Sequence, residues 1–216
     1  TIITTIGLDH LDWLPENKRT IDRIIFEKTS SLLNSNIIIS KQIDDKIQNK
    51  IKKGLKYNKS KKVFFNDTYS FKLGKDNFFY YEDQSGQLKL PFPNLNGEFQ
   101  LPNVASAIAT IRSLENLNVS NENIKNGITK IQSIARLQEI KNGRLKNLCM
   151  NNKLFIDGSH NPLGANVLNN FIDKINGNVH IILGMMNNKN HKEYVSYFKN
   201  ISSLTTVDIP NQPNAI

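Results

Sequence analysis

Residues Asp157-Gly158-Ser159-His160-Asn161-Pro162 set a carboxylate, an imidazole and several small polar groups side by side. They follow a short apolar run, Leu154–Ile156, and precede a helical pattern that begins near Leu163. A strand that empties into a polar turn and then a helix is how α/β proteins place reactive groups at the carboxyl ends of their strands. The same residues also read as an Asn/Gly/Pro turn whose polar groups only cap the next helix. Asp9 and His10 repeat the arrangement after the apolar run Thr1–Ile6. A neutral imidazole ligates a divalent metal and an adjacent carboxylate orients it; the competing reading is an N-cap beside a surface histidine. Lys28 shares one helical face with Ile21, Ile25 and Leu32. A lysine on an apolar stripe either snorkels out or is held neutral, and a neutral amine reacts with carbon dioxide to give a carbamate.

The elements that must position these groups alternate between strand and helix. Thr1–Ile6, Ile37–Ile39, Lys153–Asp157, Val179–Leu183 and Leu204–Val207 are predicted strands, and residues 20–33, 42–55, 104–117, 122–130, 163–175 and 191–199 predicted helices. Thr20 and Ser120 are N-caps, and Pro102-Asn103 opens the helix rich in alanine. Val63–Phe65, Tyr69–Phe71 and Phe78–Tyr81 are expected to form a small antiparallel patch, with Ser85-Gly86 as a turn. The alternation elsewhere indicates a parallel sheet. The polar segment Arg136–Arg144 marks the expected boundary, giving domains 1–144 and 145–216.

The chain has 216 residues, 38% of them hydrophobic and 22% charged, which describes a soluble α/β protein of one large or two small domains. It holds no apolar run long enough to span a bilayer, so no membrane partner is expected. Cys149 is the single cysteine, which excludes an intrachain disulfide and a thiolate cluster and fits a cytoplasmic protein. The net charge of +9 suits a polyanion. Much of it lies in Lys41–Lys62, a solvated face, and the aromatic residues sit in strand patterns, so no nucleic-acid partner is expected. The start lacks Met and reads as a strand already under way, and the end stops without a closing helix; both are expected truncations.

There is no G-x-x-x-x-G-K-S/T, G-x-G-x-x-G or H-E-x-x-H in the chain. Six segments nevertheless resemble one family in order. They are Thr5–His10, Phe26-Glu27-Lys28, Leu101–Ala107, Ala135-Arg136-Leu137-Gln138, Asp157–Pro162 and Gly184–Lys189. Together they resemble folylpolyglutamate synthase/dihydrofolate synthase, of the Mur ligase superfamily. The resemblance implies part of the central ATPase domain, followed by part of a Rossmann-like C-terminal domain, with active sites in the cleft between the two. The family's phosphate-binding loop would precede Thr1.

The implied reaction is ATP-dependent joining of L-glutamate to a pteroate or folate carboxylate through an acyl phosphate. The implied cofactors are ATP and Mg2+, and the partners are small molecules acting on a monomer. By resemblance, His10 ligates magnesium and Lys28 is the lysine carbamylated in relatives, supporting a metal. Asn103, Arg136 and Asp157 contact ATP, His160 lies near the phosphates and the acceptor site, and Lys189 belongs to the loop after the next strand. The chain departs from the family pattern at Thr29-Ser30-Ser31, usually Ala-Gly-Ile; at Ala135, usually glycine; at Asn188 and Asn190, usually acidic; and at Pro15, usually glycine. The rival readings are another Mur-superfamily ligase, of peptidoglycan or cyanophycin type, and a catalytically incomplete fragment; these residues alone are expected to be inactive.

Overall fold

The computed structural model describes residues 1–8, 14–32 and 35–215. The chain divides into two compact units, Thr1–Ser133 and Ile134–Ile216. The division falls before the polar segment expected to be the linker, because that segment carries a strand that pairs within the second unit.

In the first unit, β1 (Ile2–Ile3), β2 (Ile37–Ile39) and β3 (Lys62–Phe64) form a parallel sheet in chain order. Helix α1 (Ile21–Ser30) links β1 to β2, and α2 (Asp45–Gly54) links β2 to β3. Both helices start on side-chain caps: Thr20 accepts from the Arg23 amide and Asp44 from the Ile47 amide. Strand β2 reads Ile-Ile-Ile because both its faces are covered. Ile37 and Ile39 pack with α1 and α2, whereas Ile38 belongs to a second core.

That second core joins the sheet to the antiparallel meander β4 (Tyr69–Leu73), β5 (Phe78–Asp83) and β6 (Gly86–Pro91). It is closed by α3 (Leu101–Arg112) and α4 (Asn121–Thr129), the latter capped by Ser120. The expected antiparallel patch is corrected in one member. Val63-Phe64 pairs in parallel with β2, and the third antiparallel strand is β6. An apolar run of that length fits either sheet equally well.

In the second unit, β7 (Gln138–Ile140) pairs antiparallel with β8 (Leu154–Ile156), and the short helix α5 (Arg144–Leu148) lies between them. After α6 (Pro162–Ile172), β9 (His180–Leu183) pairs in parallel with β10 (Ser203–Thr206) around α7 (His191–Ser196). The parallel sheet expected here is therefore confined to β9 and β10 among the described residues. The core of this unit is Ala165, Ile172, Met185, Tyr194 and Phe198. No helix of the described residues is long and apolar enough to cross a membrane.

Candidate functional site

The turn after β8 is held at nearly every position. Asp157 Oδ1 accepts from the Ser159 amide at 2.8 Å, closing an Asx turn. Asp157 Oδ2 accepts from the Leu137 amide, also at 2.8 Å. The Ser159 hydroxyl lies 2.9 Å from the Tyr194 hydroxyl of α7. Burial pushes the Tyr194 phenol up, its hydrogen bond with Ser159 opposes this, and the Asp157 charge adds to the rise. Asn161 caps α6 by accepting from the Gly164 amide, and Pro162 occupies the first helical turn. The capping reading of the turn holds for Asn161 and Pro162, which start a helix, whereas Asp157 and Ser159 bond to other elements of the chain.

His160 is exposed, and its Nδ1 lies 3.0 Å from the Gly158 carbonyl. A carbonyl only accepts, so Nδ1 carries the proton in this contact and Nε2 is the basic nitrogen of the neutral ring. Arg136 is exposed between Ala135 and Leu137, whose φ values are 54° and 49°. Lys189 is half-buried in the loop after β9, where its amide donates to the Met186 carbonyl at 3.2 Å. The second unit thus brings Arg136 and the Asp157 turn together, by backbone contacts at Leu137 and Ala135.

Two of the expected residues that are described belong to the first unit. Asn103 is exposed in the first turn of α3, and its Nδ2 donates to Oε1 of buried Gln100 at 3.1 Å, which fixes the plane of its amide. Below it, buried hydroxyls tie α3 to the carboxyl end of β2. Ser106 Oγ lies 2.7 Å from the Pro102 carbonyl, 2.8 Å from Ser40 Oγ and 3.0 Å from the Tyr69 hydroxyl. Lys28 is exposed, and the buried positions of α1 are Ile24, Ile25 and Thr29. The core face runs through Ile21, Ile25, Thr29 and Leu32, leaving Lys28 outside it. Thr29 sits where α1 meets α2: a Cβ at Gly54 would lie 2.9 Å from its hydroxyl oxygen.

Asp9 and His10 lie outside the described residues. Among the described residues no three His, Cys, Asp or Glu side chains converge as a metal site would require. Gln138, whose Oε1 accepts from the Ala135 amide at 3.1 Å, and Tyr194 are supporting residues to which sequence reasoning gave no role, although Gln138 lies in one of the resembling segments.

An α/β chain with a strand–turn–helix motif and an arginine-bearing arch defines a class. Comparison with known proteins narrows it. No protein-family model matches the chain. The chain is 26% identical over 210 residues to the dihydrofolate synthase/folylpolyglutamate synthase of Escherichia coli (strain K12), covering 93% of this chain and 44% of that protein. Among solved structures, E. coli FolC in complex with DHPP and ADP superposes with a TM-score of 0.80 at 22% identity, over 100% of this chain and 48% of that one. Mycobacterium tuberculosis folylpolyglutamate synthase complexed with ADP and AMPPCP gives 0.77 at 18%, over 100% and 48%. The apo form of L. casei FPGS gives 0.73 at 23%, over 100% and 51%. The chain therefore has the α/β fold of the folylpolyglutamate synthases and is similar to them in sequence. It spans about half the length of the relatives it matches.

Proposed function

We propose that this chain is a portion of an ATP-dependent ligase that joins L-glutamate to the carboxylate of a pteroate or folate. The observation that carries this reading is the likeness along the entire chain to the FolC structure holding DHPP and ADP.

In the proposed reaction the pteroate or folate carboxylate attacks the γ-phosphate of ATP, breaking its bond to the bridging oxygen, to give an acyl phosphate and ADP. The glutamate amine then attacks that carbonyl, and phosphate leaves from the tetrahedral intermediate. Several anionic groups must be gathered, so cationic side chains must offset their repulsion. Arg136 and Lys189 are the cations of the second unit assigned to this, and Asp157 of the same unit is assigned to the nucleotide; in the first unit, Asn103 is assigned a nucleotide contact by resemblance. His160 is assigned to the reacting centre through Nε2. Magnesium would supply further neutralisation, through His10 and Lys28 by resemblance. His10 is not among the described residues and Lys28 stands exposed, so no step is given to the metal. The chain contains no G-x-x-x-x-G-K-S/T, so the main phosphate cradle is not in these residues. The same reading makes the protein cytoplasmic and monomeric, acting on small molecules.

The test has two arms. First, the chain is titrated with ADP while its amide resonances are followed. Movement is expected at residues 135–137 and 157–160, and is expected to disappear in Arg136→Ala. No movement at these residues in a protein that carries them together with a phosphate-binding loop overturns the nucleotide reading. Second, a protein carrying these residues together with a phosphate-binding loop is given dihydropteroate, tetrahydrofolate or a muramoyl peptide with glutamate, and ADP release is measured. Release with the muramoyl peptide alone moves the assignment to a peptidoglycan-type ligase.

A further inference from the structure

Tyr194 is 3% exposed and belongs to the core of the second unit, where its ring meets the Phe198 ring edge-on. A buried phenol needs a partner for its hydroxyl, and here the partner is Ser159 Oγ, 2.9 Å away. Ser159 is held from two further sides. Its amide donates to Asp157 Oδ1 at 2.8 Å. Its side chain lies against α6, where a Cβ at Gly164 would come within 2.7 Å of Ser159 Cβ. The groups assigned to the reaction flank this serine, Asp157 two residues before it and exposed His160 directly after it.

The same turn carries the backbone on either side of Arg136. Asp157 Oδ2 accepts from the Leu137 amide, and the Gly158 amide donates to the Ala135 carbonyl. An ionised carboxylate offers about four acceptor sites, so Asp157 keeps capacity for the nucleotide contact assigned to it. On the far side of the hydroxyl pair, α7 is capped by Asn190, which follows Lys189 directly. The Asn190 carbonyl accepts from the Tyr194 amide at 2.9 Å. The Ser159–Tyr194 bond therefore ties the turn after β8 to the helix that leads out of the loop after β9.

We propose that Tyr194 is a positioning residue of the candidate site: its hydroxyl locks the turn after β8 onto α7, and so fixes Asp157, His160 and the flanks of Arg136 relative to Lys189. This rests on the ligase reading. The buried tyrosine touches no substrate and acts only through Ser159. Small displacements of groups held for reaction are costly, up to about a hundredfold for roughly 1 Å. Phenylalanine keeps the ring in the core and removes only the bond.

The experiment uses a protein that carries these residues together with a phosphate-binding loop, as wild type, Tyr194→Phe, Ser159→Ala and the double variant. ADP release at varied ATP gives kcat and KM, and amide exchange at Ser159 reads the lock, with first-unit amides as the folding control. Tyr194→Phe is expected to speed exchange at Ser159 and to lower kcat/KM for ATP by on the order of tenfold, with a rise in KM. Ser159→Ala is expected to lower it equally, and the double variant no further than either single one. A merely structural role would reduce the folded fraction, which lowers kcat and leaves KM unchanged.

The inference is overturned if Tyr194→Phe leaves either KM or exchange at Ser159 unchanged, or if the losses of the two single variants add in the double. A wild-type protein that releases no ADP with any of the acceptors overturns the ligase reading, and the inferred effect on turnover with it. In that case exchange at Ser159 in Tyr194→Phe still reports whether the hydroxyl holds the turn, so the two failures are separable.

Discussion

Replacing Asp83 should cost far more stability than replacing the arginine it faces. Arg112 Nη1 of α3 lies 3.3 Å from Asp83 Oδ1 of β5, with the two side chains 17% and 13% exposed. Asp83 is not otherwise idle: Oδ1 accepts from the Ser85 amide at 2.8 Å, and Oδ2 from the Tyr81 hydroxyl at 3.1 Å. Arg112 Nη1 is buried and makes no hydrogen bond among the described residues. Asp83→Ala thus removes the acceptor of the turn amide and of the phenol, and leaves a guanidinium in a site that was neutralised. The lost bonds and the stranded charge together come to roughly 3–5 kcal/mol.

Arg112→Met keeps the packing of the stem and leaves Asp83 with both its donors, so about 1 kcal/mol or less is expected. In the Arg112→Met background no charge is stranded, and Asp83→Ala should then cost only about 1–2 kcal/mol, a coupling of roughly 2 kcal/mol. Urea unfolding read through amide exchange of α3 and β5 measures all four corners of the cycle. Equal costs for the two single variants, or additivity of the double, would refute this account of the pair. The consequence reaches the candidate site, because α3 carries Asn103 in its first turn.

Two further outcomes are expected. Burial pushes the Tyr69 phenol up to about 12, against the partial pull of its hydrogen bonds with Ser106 and Ser40, and also raises Tyr81 and Tyr194. An unfolded phenol ionises near about 10, so above that value the unfolded chain binds fewer protons than the folded one. The stabilisation is therefore complete below about pH 10 and is lost as pH rises through the folded values. At about pH 11 the folded chain should show phenolate absorbance from fewer than its six tyrosines, the remainder appearing on adding denaturant; ionisation of all six without unfolding contradicts this. Gly164→Ala should destabilise the second unit by about 1–2 kcal/mol although alanine is the better helix former. The added Cβ would lie 2.7 Å from Ser159 Cβ and 3.4 Å from its Cα, and Ser159 is held against Tyr194. A higher melting temperature would show that the turn yields instead.

What could be read from the sequence was what depends on neighbours along the chain. Thr20 and Ser120 announce α1 and α4 because an N-cap bonds to an amide three residues on. Ile37–Ile39 announces a buried strand because an uninterrupted apolar run has nowhere else to go. Strand β7 escaped notice because Gln138-Glu139-Ile140 carries no alternation; it is a strand only because β8 lies beside it. Lys28 takes the snorkelling alternative, for a related reason. At helical spacing, position 28 borders an apolar stripe, but Thr29 completes the stripe against Gly54 of α2, a contact no local pattern announces. The site divides along the same line. Asp157 and His160 could be picked out by type and Arg136 only by resemblance, yet the sequence does not say that each Asp157 oxygen accepts from a backbone amide. One letter did carry that information. Where the family that the chain resembles usually has glycine, this chain has Ala135, and it still adopts a positive φ. A residue that keeps a glycine's backbone without being glycine needs an external clamp, and Asp157 and the adjoining Gly158 amide provide it across the arch.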